Sequence, residues 1–266
     1  MIAHLSLNDR DYSVDYSQGI SVAIPLDPHG AQPSFFVDQP ASATPLKSGD
    51  YIGDVNAGGS CNAEVIRFVP HCHGTHTACI GHLSSERITV QQTIYAGPCV
   101  VQVLSFQNPG GADANDMSMD VGLVMEMDWI QASLHPDAQA LAIRSMPNPI
   151  DKMSRDYALD PEYPVFSLQA MQFLAAGNLK HLLLDTPSLD RANDGGKLSN
   201  HRTWWGIGNG LEHGSLDAAK RSVTEMIYIP ESVKDGLYWM HLELSPLMSD
   251  ATPSRPVIYP LTEKHQ

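Results

Sequence analysis

The sequence predicts a mixed α/β fold in a single domain, and one observation supports each part of this prediction. Apolar runs rich in β-branched residues alternate with helical segments through the middle of the chain, between residues 99 and 184. The 266-residue chain also has a hydrophobic share of 42% and shows no linker between two folding units. We therefore expect a single domain over residues 1–266, large enough to bury a sizeable core.

The predicted elements are bounded by glycine, proline and capping residues. Residues 1–60 are rich in Pro, Gly, Asp and Ser, which predicts an irregular segment around the core with short strands, such as one within residues 20–24. Helices are expected at 119–134 and at 167–176, where Ser167 is a candidate N-cap and Gly177 a candidate C′ residue. Strands are expected at 63–69, 99–106, 139–144, 179–184, 223–229 and 237–244.

Composition excludes several classes of function. Lys and Arg total 16 against 30 Asp and Glu, which gives a net charge of −14. Binding to nucleic acid and attachment to an anionic membrane both need a basic surface, so neither is expected.

No apolar run approaches the ~18 residues of a transmembrane helix. The N-terminus lacks an apolar run and the four cysteines form no CxxC pair, so we expect a cytoplasmic protein with reduced thiols.

The densest cluster of polar side chains lies within residues 70–82. It contains two thiols and four imidazoles, those of His71, His73, His76 and His82. Neutral imidazole and thiolate are ligands that Zn²⁺ and similar ions favour. In an extended segment His71 and His73 would share a face, and Gly74 would permit a turn that returns His76 to the same point. The spacing therefore predicts a metal or catalytic centre.

Several segments, taken in order, resemble the cyclase family of metal-dependent hydrolases, which includes bacterial kynurenine formamidases and isatin hydrolases. The family signature HxGTHxDxPxH matches at residues 74–76 (GTH) and at His82. Residues 183–191 (LLDTPSLDR), 224–226 (TEM) and 250–259 (DATPSRPVIY) resemble later segments of the family. The resemblance runs from about residue 50 to residue 260. It implies a single mixed α/β domain of the cyclase type, similar to swivelling β/α/β folds.

The resemblance also implies roles for individual residues. His76 would be a ligand of the first metal, and His201 with Glu225 would complete a second metal position. His82 would donate and accept a proton beside the activated water. The implied cofactor is a divalent metal, Zn or Mn, and the implied assembly is a homo-oligomer.

The first ligand of the motif is open between three residues. Cys72 stands where the pattern has His, whereas the family's Pro-His pair fits residues 70–71 with one residue inserted. His71 is therefore the preferred metal ligand, and His73 or Cys72 is the alternative.

A second departure from the motif concerns its carboxylate. Ala78 replaces an acidic residue that the family shares between two metals, and a methyl group coordinates nothing. Losing this anion should weaken both metal positions. The missing carboxylate could come from elsewhere in the chain, for example from Glu64 or Glu212.

A divalent metal and a proton-shuttling histidine predict hydrolysis of an amide, formamide, lactam or ester carbonyl. The resemblance implies, more narrowly, a non-peptide C–N bond in a formamide, a cyclic amide or a related carbonyl compound, with arylformamidase-like activity. The partner is a small molecule, and Phe35, Phe36, Trp204 and Trp205 are candidates to line a pocket for an aromatic one. The alternative hypothesis is a catalytically impaired protein of the same fold that binds a small molecule without turning it over. Ala78 favours that alternative, and the retained histidines favour the enzyme.

Overall fold

A ten-stranded sheet organises the part of the chain that the structure describes. The structure is a computed structural model, and it describes residues 1–7, 10–94, 97–107, 123–159, 162–208 and 218–264. Its strands are β1 (Ile2–Leu7), β2 (Arg10–Asp15), β3 (Ile20–Ser21), β4 (Ser42–Pro45), β5 (Lys47–Ser48), β6 (Tyr51–Ile52), β7 (Glu64–Arg67), β8 (His76–Ala78), β9 (Cys99–Gln107), β10 (Val124–Met125), β11 (Ala140–Met146), β12 (Val165–Phe166), β13 (His181–Leu184), β14 (Ser222–Glu225), β15 (Gly236–Leu244) and β16 (Ala251–Glu263). Its α-helices are α1 (Val90–Thr93), α2 (Met127–Ser133), α3 (Leu168–Ala176) and α4 (Ser199–Trp205). Short 3₁₀ turns lie at Tyr16–Gln18, Val55–Ala57, Ile80–Leu83, Ile150–Ser154 and Ala218–Lys220.

Seven strands of this sheet close into a barrel. Their order is β16, β15, β9, β11, β13, β14 and β8, and the barrel closes because β8 also pairs with β16. Strands β9, β11, β13 and β14 run parallel, and helices α2, α3 and α4 lie in the connections between them. Parallel neighbours need such crossovers. The other three strands are antiparallel to their neighbours.

Both faces of the parallel strands are buried, which explains their continuous apolar runs. In β11, Ala140 and Ala142 belong to an apolar cluster that includes Met240 of β15. Leu141 and Ile143 alternate with them and belong to the cluster that holds the side chains of α3 and α4. In β11 the alanines thus pack against one apolar cluster and the larger side chains pack against the helices.

Closure of the barrel brings distant segments of the sequence together. Strand β14 ends at Glu225, and its register partner is His76, the first residue of β8. On the other side of β8, Ala251 of β16 is the partner of Ala78. Asp250 therefore lies beside Cys79, whose backbone N–H donates to the Asp250 carbonyl at 2.9 Å.

The structure confirms the mixed α/β class and most of the central elements. The predicted strands at 99–106, 139–144, 179–184 and 237–244 correspond to β9, β11, β13 and β15. Helix α3 begins after Ser167, whose hydroxyl accepts a hydrogen bond from the Ala170 N–H as expected of an N-cap. Gly177 ends this helix in an extended conformation, with φ −85°, and not in the left-handed conformation of a C′ glycine.

Three other element predictions were wrong in part. Residues 1–60 are not irregular throughout, because β1 and β2 form a hairpin that extends the sheet beside the end of β16. The helix expected at 119–134 begins only at Met127, since Val124–Met125 pair with β12, and residues 119–122 lie outside the described residues. The strand expected at 223–229 ends at Glu225, because Met226 adopts a left-handed φ of 54°.

One further finding concerns membranes. Among the residues that the structure describes, no helix is long and apolar enough to cross one.

Candidate metal and active site

A cavity of about 320 Å³ lies where β13 and β14 end beside the start of β8. The size is that of a pocket for a small organic molecule. Its lining includes three histidines, one glutamate and two phenylalanines: His71, His82, His201, Glu225, Phe35 and Phe36. The predicted cluster at 71–82 and the distant His201 therefore reach the same pocket.

The most buried part of the site is a glutamate held between two histidines. Nε2 of His76 donates to Oε2 of Glu225 at 3.1 Å, and Nε2 of His201 lies 3.4 Å from its Oε1. The Leu189 N–H also donates to Oε1, at 3.0 Å. The carboxylate of Glu225 is thus fixed by three donors, because the turn after β13 and the ends of β14 and β8 meet around it.

The other ring nitrogens of these two histidines are anchored to the protein. Nδ1 of His201 donates to Asp190 at 2.7 Å, and Nδ1 of His76 contacts the Gly74 carbonyl at 3.2 Å. In both rings, Nε2 is therefore directed toward Glu225. Metal-binding histidines are held in this way, with the second ring nitrogen donating to a carboxylate or a carbonyl. The sequence analysis did not identify Asp190 as a site residue, although it is the next-to-last residue of the segment 183–191 (LLDTPSLDR).

The pKa values reflect this mutual stabilisation. Burial alone would raise the pKa of Glu225, but the hydrogen bonds from His201 and His76 outweigh it and hold that pKa well below its usual range. Burial alone would lower the pKa of His201, but its contacts with Asp190 and Glu225 raise it to about 9. The buried groups thus form a charged pair, in which a cation could replace the His201 proton.

A second donor group, formed by His71, His82 and Asp250, is more exposed to solvent. Oδ2 of Asp250 lies 2.8 Å from Nε2 of His71 and 3.5 Å from Nδ1 of His82. One donor atom from each of these residues lies within 4.8 Å of the others, a spacing that suits a shared cation. The hydrogen bonds from His71 and His82 hold the pKa of Asp250 well below its usual range.

The two donor groups adjoin through their imidazole rings. The centroids of His71 and His76 are 5.4 Å apart, and those of His82 and His201 are 5.5 Å apart. The rings of His71 and His82 approach within 4.1 Å. Four of the predicted histidines and Glu225 therefore form one continuous site.

Two glycines allow the chain to bend around this site. Gly74 adopts a left-handed φ of 70°, which reverses the chain between His71 and His76. Gly81 lies in the Ile80–Leu83 turn that carries His82, and a Cβ there would lie 2.0 Å from the Ile88 carbonyl oxygen. Only glycine fits that close approach.

The structure does not bring His73 into the site. The Val69 N–H donates to its Nδ1 at 3.0 Å, and its Nε2 donates to the Gln39 carbonyl at 3.0 Å. Both ring nitrogens therefore hold the surrounding loop. The expectation that His71 and His73 share a face was wrong, because residues 70–75 form turns and not an extended segment.

The thiols are poorly suited to a role as anionic ligand or nucleophile. Cys72 lines the cavity, but burial, reinforced by the charge of Glu225, raises its pKa to about 11. Burial also raises the pKa of Cys79. Both thiols stay protonated at neutral pH, so imidazole and carboxylate are the stronger donors here.

The aromatic candidates have two different locations. Phe35 and Phe36 line the cavity, and Phe36 is 79% exposed at its opening. Trp204 and Trp205 are fully buried on α4 and belong to the core. The centroid of the Trp205 ring lies 5.5 Å from that of His201, so Trp205 packs against His201 from the core.

Two carboxylates were considered as replacements at position 78. Glu64 pairs with His29 on the surface, at 2.9 Å, and not with a site residue, whereas Glu212 lies outside the described residues. Asp250 is the carboxylate near Ala78, because it precedes the residue that pairs with Ala78. Its only sequence signal was its position at the start of the segment 250–259.

The donor set fits a divalent metal. Imidazole nitrogens and carboxylate oxygens are the ligands that Zn²⁺ and Mn²⁺ accept, and here they converge in a partly open cavity. The anchored Nδ1 atoms of His76 and His201 add the outer support that such sites need.

Three solved structures resemble this fold over most of the chain. A predicted metal-dependent hydrolase from Bacillus stearothermophilus is 16% identical, with a TM-score of 0.60, over 91% of this chain and 98% of that one. Isatin hydrolase A from Labrenzia aggregata, bound to benzyl benzoate, is 14% identical, with a TM-score of 0.63, over 91% and 93%. An isatin hydrolase bound to the product analogue thioisatinate is 12% identical, with a TM-score of 0.62, over 92% of both chains. At such identities the likeness concerns the fold.

Family comparison gives a more direct result. No protein of curated function matches the sequence significantly. The model of the family described as "Putative cyclase" matches residues 12–191, which is more than half of the chain. The resemblance inferred from residues 74–76 and 183–191 is thereby confirmed, and the chain belongs to the cyclase family.

Proposed function

We propose that the protein is a metal-dependent hydrolase that cleaves a non-peptide C–N bond beside a carbonyl group, with arylformamidase-like activity. One observation carries this proposal: three imidazoles, those of His71, His82 and His201, line one cavity together with Glu225. Asp250 contacts His71, and His76 contacts Glu225. A protein that only binds a small organic molecule has no chemical need for so many aligned donors.

The metal, Zn or Mn, would be held by His71, His76, His201 and Glu225. When bound, such an ion polarises a carbonyl and lowers the pKa of water from 15.7 to about 7. His73 is left out of this set because both of its ring nitrogens are occupied elsewhere.

His82 would move the proton. Its Nδ1 faces Asp250, so Nε2 is the atom that would take a proton from water and pass it to the leaving nitrogen. Water oxygen bonds to the carbonyl carbon, the C–N bond breaks, and the amine leaves with that proton. No covalent intermediate is needed, in keeping with the raised pKa of Cys72.

The substrate would be small and aromatic. Phe35 and Phe36 form an apolar wall, and Phe35 packs edge-on against Tyr163, with ring centroids 6.2 Å apart. An aromatic formamide or a cyclic amide fused to a benzene ring fits this chemistry. Two neighbours of similar fold are isatin hydrolases, which supports the cyclic amide as one of the two test classes.

The assembly and compartment are also part of the proposal. The homo-oligomer is expected from the family resemblance. All four cysteines are free, which supports a reducing cytoplasm. Light scattering of the purified protein tests the first expectation.

Metal analysis followed by a substrate screen tests the activity. We expect bound Zn or Mn in the purified protein, and metal-dependent hydrolysis of an N-formyl aromatic amine or an isatin-type lactam. Stripping the metal with a chelator should abolish turnover, and adding it back should restore it. Metal and tight aromatic binding without any turnover would instead favour the binding protein that Ala78 suggests.

A further inference from the structure

We propose that Asp250, the residue before strand β16, is a metal-ligating carboxylate of this site and that it acts together with His71. The inference rests on the proposed metal-dependent function and adds a ligand that the signature motif does not contain.

The geometry around Asp250 is that of a donor and not of a surface ion pair. Oδ2 of Asp250 lies 2.8 Å from His71 and 3.5 Å from His82, and all three donor atoms fall within 4.8 Å. Ligand atoms on one tetrahedral Zn²⁺, each about 2.0–2.1 Å from the ion, are about 3.4 Å apart. The present spacing therefore needs only small side-chain shifts to admit a cation.

Accessibility also favours this group. The Asp250 and His71 side chains are 35% and 24% exposed, so an ion can reach this pair from solvent. Glu225 is almost fully buried and already accepts three hydrogen bonds. Asp250 is therefore the more accessible of these two carboxylates.

The backbone fixes Asp250 in place. Its carbonyl accepts the Cys79 N–H at 2.9 Å, and the next residue, Ala251, is paired with Ala78 across β16 and β8. The hydroxyl of Ser249 donates to Oδ1 at 3.1 Å, which directs Oδ2 toward the histidines. The carboxylate of Asp250 thus lies close to Ala78, the position where the family motif has an acidic residue.

The position gives Asp250 two contacts with different consequences. Through His71 it would share the metal, and through Nδ1 of His82 it would orient the ring that carries the proton. One carboxylate therefore couples metal binding to proton transfer, and its loss affects both.

The test compares Asp250→Asn with Glu64→Gln. The control also removes the charge of a carboxylate that contacts a histidine at 2.9 Å, but on the surface outside the cavity. Each protein is stripped with chelator, and Zn²⁺ or Mn²⁺ binding is measured by calorimetric titration and by metal content. Co²⁺ absorption spectra report the coordination directly, and circular dichroism checks the fold.

We expect Asp250→Asn to weaken metal binding by about 100-fold or more and to change the Co²⁺ spectrum, while Glu64→Gln matches the unmodified protein. Asp250→Glu, which keeps the charge, should recover part of the affinity. Asp250→Asn with metal binding and a Co²⁺ spectrum like those of the unmodified protein would overturn the inference.

The outcomes separate this inference from the proposed function. If Asp250→Asn binds metal normally and hydrolyses the substrate, the Asp250 inference fails and the function stands. If Asp250→Asn loses metal but the unmodified protein hydrolyses no carbonyl substrate, the inference stands and the function fails. An unmodified protein that binds no divalent metal would overturn both.

Discussion

Acid should destabilise the fold through His181, the first residue of β13. The side chain is buried, its Nδ1 lies 2.6 Å from the Ser222 hydroxyl, and burial together with the charge of Lys180 lowers its pKa to about 4. In the unfolded chain the imidazole of His181 takes up a proton below about pH 6.5, whereas in the folded chain it does so only near pH 4. The stability contributed by neutral His181 is therefore present above 6.5 and is lost as pH falls.

The size of the effect follows from these two pKa values. Between pH 7.5 and pH 5 the difference amounts to about 2 kcal/mol of unfolding free energy. For a domain of this size that corresponds to a fall of roughly 4 to 6 °C in melting temperature. Replacing His181 with Gln keeps a partner for Ser222 and removes the titration.

Thermal melts at several pH values measure the difference. We expect the unmodified protein to lose about 2 kcal/mol more than His181→Gln over this range. The surface variant His29→Gln serves as control and should follow the unmodified protein. Parallel pH profiles for the unmodified protein and His181→Gln would refute the reasoning. The comparison also distinguishes unfolding of the protein at low pH from a loss of activity caused by protonation of site residues.

Three further predictions concern the site itself. His82→Ala should lower turnover by about 100-fold or more while metal content stays unchanged, as measured by steady-state kinetics and metal analysis; equal loss of metal would make His82 a ligand. His76→Gln should reduce bound metal, whereas His73→Gln should leave it unaltered, because both ring nitrogens of His73 hold a loop. Phe36→Ala should raise KM for an aromatic formamide by about fivefold with little change in kcat, and an aliphatic formamide should be unaffected if the ring recognises the substrate.

Local sequence patterns predicted the central strands of the fold, because the apolar character of these strands can be recognised from each segment alone. Strands β9, β11 and β13 are buried on both faces, so their apolar runs were visible without knowledge of their partners. The hairpin of β1 and β2 was missed for the opposite reason. It pairs with the far end of β16, some 250 residues away, and its polar residues alternate on an exposed surface.

The candidate site was also predictable only in part. His71, His76 and His82 lie within one short segment, so their density alone indicated a metal or catalytic centre. The periodicity argument placed His73 with them because it assumed an extended chain. In the structure Gly74 has a φ of 70° and the preceding residues form turns, so His71 and His73 diverge.

Asp250 could not be found by any argument from neighbouring residues. Its contact with His71 spans 179 positions of the chain and depends on which strand closes the barrel. Once β8 pairs with β16, the residue before Ala251 must lie beside the Ile80–Leu83 turn that carries His82. The carboxylate is thus specified by strand register and not by motif spacing.

The same register links the site to the fold. Glu225 lies at the end of the parallel half of the barrel, His76 begins the closing strand β8, and Asp250 directly precedes its partner β16. A cation held by residues on both sides of that junction binds only the closed barrel. Ligands that bind the folded state alone stabilise it by about 2.7 kcal/mol at 100 times their Kd. A metal at this site would therefore take part in the reaction and would also stabilise the junction of β14, β8 and β16. This junction contains β8, the shortest strand of the barrel.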